Sequence, residues 1–259
     1  MAIRSVLLHA ADVRRSAAFY VTHLGLEPVE VTDDGAVLDA VTARLRIARL
    51  DPAAGAEPST FVPDDLQRGF RHIGFKVADL DVRAARLRAA GVPFHLEPLD
   101  AEGEVRLTFV LDPDGTMVEL VEGPLRYHEV HDRGLVERDW ALGTPERPRF
   151  DHVGETVADL AVTQDYFARL GYRTMAGIHQ PGDDRGFEIT FLRDGDSSLE
   201  IFTFDRAEKV SRTPQLSAPG FVAVELDGHA PEGAQPVGSA FETELISDPD
   251  GLVHAVTGR

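Results

Sequence analysis

The chain has 259 residues, of which 43% are hydrophobic, so it can bury one large core or two of ordinary size. Its formal net charge of −18 at pH 7 repels phosphate backbones, and we expect no nucleic-acid partner. The absence of cysteine excludes disulfides, thiolate metal ligands and a cysteine nucleophile.

A first unit is predicted over residues 3–50. It opens with an alternating strand, IRSVLLHA, and continues with VRRSAAFYVTHL, whose apolar residues at i, i+4, i+7, i+8 and i+11 share one helix face. Asp12 before this helix is a good N-cap, because its carboxylate accepts amide hydrogens of the first turn, and Gly25 after it suits an αL cap. Residues 51–68 are predicted to be a linker from their Pro and Gly content.

A second and a third unit begin with nearly the same phrase. FRHIGFKVADL starts at Phe70, and FDHVGETVADL starts at Phe150. In each phrase the aspartate, Asp79 or Asp159, is predicted to cap a helix that a glycine ends 12 residues later. The repeat predicts that the two units fold alike.

Alternating stretches typical of strands follow both helices. They read RLTFVL-DPDG-TMVELVE in the second unit and EITFLR-DGDS-SLEIFTF in the third, and the turn residues predict a hairpin in each. The units therefore span 69–123 and 149–205, with a linker at 124–148. A fourth, abbreviated unit at 218–259 begins with GFVAVELDG, ends with SDPDGLVHAV, and leaves too little chain between these strands for a helix.

Units of this βαβββ kind, used in pairs, resemble the vicinal oxygen chelate superfamily, which includes glyoxalase I, methylmalonyl-CoA epimerase, extradiol dioxygenases and bleomycin-binding proteins. The resemblance rests on ADVRRSAAFYVTHLGL, on the HIGF and HVGE strands and on the DPDG turns, and it is weakest in the fourth unit. It implies an α+β fold in which four units pair into two glyoxalase-like cupped sheets with helices outside. We divide the chain into two such domains, 1–123 and 149–259.

Two histidines and two glutamates occupy matching places in the second and third units. Glu119 and Glu200 lie in otherwise apolar strands, 47 and 48 residues after His72 and His152. A buried carboxylate needs a partner, and one divalent ion would satisfy two imidazoles and two carboxylates together. Zn, Ni, Co, Mn and Fe all accept this ligand set. The four residues also fall on the metal-ligand positions that the resemblance implies.

Two pairings of the units are open. If sequence neighbours pair, the four ligands are split between two cavities. If the second unit pairs with the third, within a chain or between the chains of a homodimer, all four converge, and we favour this pairing because it satisfies both glutamates. The first and fourth units would then enclose a cavity without a transition metal, because its ligand positions hold Ser5, Arg46, Phe221 and either His254 or Ala255.

Three functions are compatible with these residues. The first is a metal-dependent lyase or isomerase that moves a proton alpha to the carbonyl of a small α-oxygenated substrate, with Glu119 or Glu200 as the base. The second is a non-haem iron, ring-cleaving dioxygenase, although four protein ligands leave too few positions for both substrate and O₂. For this function the resemblance requires a histidine where the fourth unit has Phe221. The third is a non-catalytic drug-binding protein, which does not need the His/Glu set.

The remaining motifs predict less. HEVH at 128–131 lacks the i, i+4 spacing of a helical zinc pair, and His179 lies in a hairpin tip that we expect at the surface. The DPDG turn at Asp112 has Gly123 where a calcium loop needs a glutamate. Glu155 interrupts the apolar face of its strand, which the sequence explains only as a strand edge. No stretch is long and apolar enough for a signal peptide or a transmembrane helix, so we expect a cytoplasmic protein.

Overall fold

The computed structural model describes residues 3–50, 59–232 and 234–258, so part of the first predicted linker, residues 51–58, lies outside the described residues. The first unit has strands β1 (Ile3–Ala10), β2 (Glu27–Val31), β3 (Gly35–Asp39) and β4 (Arg44–Arg49), and helix α1 (Val13–Phe19), which a π-helical turn (Tyr20–Leu24) continues. The second unit has β5 (Gly69–Lys76), α2 (Leu80–Ala89), β6 (Phe94–Ala101), β7 (Val105–Leu111) and β8 (Met117–Glu122).

The segment between the second and third units is also structured, with β9 (Glu129–Val130) and α3 (Arg133–Ala141). The third unit has β10 (Arg149–Thr156), α4 (Leu160–Arg169), β11 (Arg173–His179), β12 (Phe187–Asp194) and β13 (Ser197–Phe204). The fourth has β14 (Gly220–Asp227), β15 (Gln235–Ala240), β16 (Thr243–Ser247) and β17 (Val253–Thr257), with no helix among its described residues. None of the helices in the described ranges is long and apolar enough to cross a membrane.

The strands form two mixed sheets. The units pair as we favoured from the sequence, in the arrangement that brings Glu119 and Glu200 together. One sheet has the order β6-β7-β8-β5-β10-β13-β12-β11-β9, so the second unit pairs with the third through antiparallel β5 and β10. The other has the order β15-β16-β17-β14-β1-β4-β3-β2, so the first unit pairs with the fourth. The predicted α+β fold of four units in two cupped sheets is confirmed.

Each sheet takes one unit from residues 1–123 and one from residues 149–259. The segment 124–148, predicted to be a linker, adds β9 to the nine-stranded sheet and packs Trp140, whose indole N–H donates to the carbonyl of Leu125 (2.8 Å). The division of the chain into sequential domains at 1–123 and 149–259 stays a prediction. Each hydrogen-bonded sheet contains strands from both of these ranges.

Two of the three predicted helix caps bind as expected. The carboxylate of Asp12 accepts a hydrogen bond from the amide of Arg15 (3.0 Å), and that of Asp159 accepts from Ala161 (2.9 Å). Asp79 stands at the N-cap position as predicted, but the prediction that its carboxylate caps the helix is wrong. Its backbone is in the left-handed region (φ 54°), and its side chain makes no capping hydrogen bond. The carboxylate of Glu122 caps this helix instead.

The two DPDG turns join the sheets. The carboxylate of Asp114 accepts the amide hydrogen of Ala11 (3.0 Å) at the start of α1, so the turn of the second unit docks on the first. In the same way Asp250 accepts the amide hydrogen of Ala158 (3.0 Å), so the turn of the fourth unit docks on the third. The turns therefore connect units that the sheet hydrogen bonds leave apart.

Glu155 has a partner that its strand alone does not reveal. It is completely buried and lies against the carboxyl group of Asp248, the first residue of the fourth unit's turn. Burial and the neighbouring carboxylate raise the pKa of Glu155 well above its usual value, and burial raises the pKa of Asp248 to about 6. Both shifts favour the protonated carboxyl group, so Glu155 is a buried acid rather than an edge residue.

Candidate metal centre

The four predicted ligands lie on the four central strands of the nine-stranded sheet. His72 is on β5 and His152 on β10, which run antiparallel, and Glu119 and Glu200 are on β8 and β13, the parallel neighbours of those strands. In the register, Gly74 pairs with both Glu119 and His152. The arrangement is thus nearly two-fold symmetric, as the repeated phrase predicts.

The ligand atoms converge on one point. His72 Nε2 lies 2.9 Å from His152 Nε2, 3.1 Å from Glu200 Oε2 and 3.2 Å from Glu119 Oε2. His152 Nε2 lies 2.8 Å from Glu119 Oε2 and 3.3 Å from Glu200 Oε2. One atom from each of the four residues lies within 4.8 Å of all the others, and all four residues are buried. They come from one chain, so no second subunit is needed to assemble the cluster.

This spacing fits a divalent ion. Nitrogen and oxygen ligands bind Zn²⁺ at ~2.0–2.2 Å, which places neighbouring ligand atoms about 3 Å apart. The described residues offer no other such group of three or more His, Asp or Glu side chains. The donor set of two imidazoles and two carboxylates has no thiolate and therefore suits a hard or borderline ion.

Two glycines that sequence reasoning did not single out leave room for the imidazoles. A Cβ at Gly74 would lie 2.1 Å from Cε1 of His152, and a Cβ at Gly154 would lie 2.2 Å from Cε1 of His72. Each histidine therefore lies over the glycine of the opposite strand. The signal was present in the sequence, since both phrases have glycine two residues after histidine.

The surroundings favour the charge states that bind a cation. Although burial opposes it, hydrogen bonding to His152 and His72 lowers the pKa of Glu119 to about 2, so this carboxylate is ionised at neutral pH. Asp151, also missed from the sequence, lies with its Oδ2 3.1 Å from Nδ1 of His152 and orients that ring with Nε2 towards the cluster. Burial opposes the ionisation of Asp151 too, but the charge of Lys76 holds its pKa below the usual value. Nδ1 of His72 is buried without a hydrogen-bond partner.

A cavity of about 360 Å³ opens beside the cluster. Three of the four predicted ligands, His72, Glu119 and Glu200, lie in its wall. Two phenylalanines flank the imidazole of His72: the ring of Phe109 lies edge-on with its centroid 5.1 Å away, and that of Phe202 lies 5.7 Å away. A small molecule in this cavity can therefore reach both glutamates.

The matching face of the other sheet holds an ion pair. By register, Arg46 stands where Glu119 does, and Nη1 of Arg46 lies 2.6 Å from Oε1 of Glu225. The prediction that Phe221 takes the histidine position is wrong: Ala223 pairs with Leu7 as His152 pairs with Gly74, so Ala223 occupies that position and Phe221 corresponds to Phe150.

His254 is a core residue rather than a ligand. Ala255 pairs with Glu225 and takes the fourth ligand position, so His254 points to the opposite face. Its Nε2 lies 2.8 Å from the hydroxyl of Tyr166, and burial lowers its pKa to about 4. Of the lesser motifs, His131 and His179 have side chains that are 49% and 43% exposed, which fits the expected surface positions.

Comparisons with known proteins agree with this fold. The family model of the Glyoxalase/Bleomycin resistance protein/Dioxygenase superfamily matches residues 2–120. A protein of Pseudomonas aeruginosa named lactoylglutathione lyase is 45% identical over 58 residues, which are 22% of this chain and 32% of that protein. The match therefore spans about a third of that relative's length.

Glyoxalase I from Zea mays has a similar fold, with a TM-score of 0.67 at 18% identity over 98% of this chain and 91% of that chain. A mutant of the same maize protein gives a TM-score of 0.65 at 16% identity, over 99% of this chain and 93% of that chain. At these identities the likeness concerns the fold alone.

Proposed function

Because residues 2–120 match the model of the Glyoxalase/Bleomycin resistance protein/Dioxygenase superfamily, we propose that the chain is a divalent-metal-dependent lyase or isomerase of that superfamily. The observation that carries the proposal is the convergence of His72, Glu119, His152 and Glu200 beside a cavity of ligand size. The proposed reaction moves a proton alpha to the carbonyl group of a small substrate with two adjacent oxygens. The names of the relatives, glyoxalase I and lactoylglutathione lyase, support the same class of chemistry.

His72, Glu119, His152 and Glu200 would hold the ion. When bound, a divalent ion supplies a Lewis acid that polarises a carbonyl and acidifies the neighbouring C–H bond. The two imidazoles extend from the middle of β5 and of β10 to one point, and Asp151 keeps His152 in the orientation that ligation needs. The carboxylates then differ in how firmly they are held.

Glu200 is the better candidate for the base. Its Oε2 lies 3.1 and 3.3 Å from the two imidazoles, whereas Oε2 of Glu119 lies 2.8 Å from His152. The side chain of Glu200 is also more exposed, at 11% against 5% for Glu119. A carboxylate that is held less tightly and faces the cavity can accept a proton from the substrate and return it.

The dioxygenase alternative finds less support in the geometry. His254 cannot complete an iron-binding triad with His152 and Glu200, because it belongs to the eight-stranded sheet and lies 2.8 Å from the hydroxyl of Tyr166. Ala223 takes the position in the fourth unit where that function requires a histidine. A drug-binding role would leave the paired histidines and glutamates without a purpose.

Metal analysis of purified, reloaded protein tests the proposal. We expect one ion per chain in the wild type and in the surface variant His179→Ala, but a loss of the ion in His72→Ala and Glu200→Ala. Loaded protein should then introduce deuterium from heavy water at the α-carbon of α-hydroxycarbonyl or α-ketoacid-derived compounds, without oxygen uptake. Undiminished metal in both ligand variants would contradict the site, and stoichiometric oxygen uptake with a catechol would favour the dioxygenase.

A further inference from the structure

The cavity beside the His72–Glu200 cluster has an apolar wall. Its lining includes nine hydrophobic residues from strands β6, β7, β8, β12 and β13. They are Leu96, Leu99, Ala101, Leu107, Phe109, Met117, Phe187, Ile189 and Phe202. Three aromatic rings lie next to one another in this wall. Phe109 and Phe202 flank His72, and Phe187 packs edge-on against Phe202 with 5.1 Å between the ring centroids. The wall next to the ligand cluster is therefore suited to a flat, apolar group.

The one Lys or Arg side chain among the described lining residues is already neutralised. Arg71 has a side chain that is 2% exposed, and its Nη2 lies 2.9 Å from Oδ1 of Asp65. Its Nη1 donates to the carbonyl of Asp64, so both ends of the guanidinium are engaged. Asp65 lines the same cavity, and its Oδ2 lies 3.1 Å from Nη2 of Arg185, so its charge is paired as well.

This lining disfavours an anionic substrate body. A carboxylate that enters the cavity loses its water and finds no free Lys or Arg side chain among the described lining residues, which also include the polar His95 and Gln180. The loss of water is costly in an apolar environment. The net charge of −18 adds like-charge repulsion. An uncharged ring or branched alkyl group instead gains free energy by leaving water.

On the basis of the proposed function, we propose that the substrate is a small molecule with two adjacent oxygens at one end and an uncharged aromatic or branched alkyl body. The oxygens face the cluster, and the body packs between Phe109, Phe202 and Phe187. An adduct of glutathione, whose peptide carries two carboxylates, does not match this cavity. The preference separates this chain from the relative whose name includes that peptide.

Three hydroxamates of graded tails test the proposal by calorimetric titration of the metal-loaded protein. Acetohydroxamate presents two adjacent oxygens with almost no tail, benzohydroxamate adds an aromatic ring, and the mono-hydroxamate of succinate adds a carboxylate. We expect benzohydroxamate to bind roughly tenfold to a hundredfold more tightly than acetohydroxamate, because burial of the ring adds to the binding of the head. The succinate derivative should bind more weakly than acetohydroxamate.

The variant Phe187→Ala should lose most of the advantage of benzohydroxamate and leave the affinity for acetohydroxamate unchanged. Phe241→Ala, which removes a half-buried ring from the other sheet, is the matched control and should change neither affinity. Equal or tighter binding of the succinate derivative would overturn the substrate class while the metal site stands. A protein that takes up no metal and binds none of the three compounds would refute the proposed function, and the substrate class with it.

Discussion

The close approach of each histidine to a glycine on the opposite strand makes a sharp test of the metal centre. In Gly154→Ala the new Cβ would lie 2.2 Å from Cε1 of His72, whereas ordinary contacts begin near 3.4 Å, so the ring has to move by roughly 1 Å. Because the strand is completely buried around it, the ring cannot move aside and keep Nε2 at the cluster. Displacement of a direct ligand should lower the metal affinity by more than the ~10–100-fold that loss of an orienting partner costs.

The assay is competition for the ion with a chromophoric chelator, together with thermal unfolding. Gly177→Ala is the matched control on strand β11, where a Cβ would lie 3.6 Å from the carbonyl oxygen of Ile189, an ordinary contact. We expect the control to keep wild-type affinity and Gly154→Ala to unfold cooperatively, with overpacking costing ~1–3 kcal/mol. A folded Gly154→Ala protein that binds the ion as tightly as the wild type would refute the proposed position of His72.

Three further outcomes are expected. Asp151→Asn should lower metal affinity by ~10–100-fold in the same competition assay, since His152 loses the carboxylate that orients it; an unchanged affinity would contradict this role. Chelation of the ion should lower the midpoint of thermal unfolding, because binding to the folded state alone stabilises it, and a midpoint independent of metal would argue against the site. Burial raises the pKa of Asp248 to about 6 and that of Glu155 well above its usual value, so their contribution to stability is present below the unfolded pKa near 4. It is lost as the pH rises through about 6 for Asp248 and through the raised pKa of Glu155. Glu155→Gln should therefore raise the free energy of unfolding by on the order of 1–3 kcal/mol at about pH 8 and by less at about pH 4; a urea-unfolding difference that is equal at both pH values would contradict the raised pKa of Glu155.

The sequence by itself determined the units and located the four candidate ligands. Helix periodicity and strand alternation act over a few residues, so the repeated phrase located the histidines and put each on the face opposite its apolar neighbours. The equal spacing from each histidine to its glutamate was visible without coordinates, and the structure brings those four residues together. Local chemistry also predicted the caps of α1 and α4 correctly.

Non-local contacts decided the rest. Pairing of the second unit with the third depends on which central strands meet, and β1, β5, β10 and β14 all have the local pattern of a central strand. The strand pairing that gives Ala223 the histidine position and the cap that Glu122 supplies for α2 arise only when separate strands are aligned. Glu155 looked out of place because its partner, Asp248, is 93 residues away in sequence and meets it only when the fourth unit's turn docks on the third. The physical reason is that the alternation of side chains along a strand is local and decides which face of the sheet a residue occupies. The contacts of that face depend on which strands pair and which units pack together.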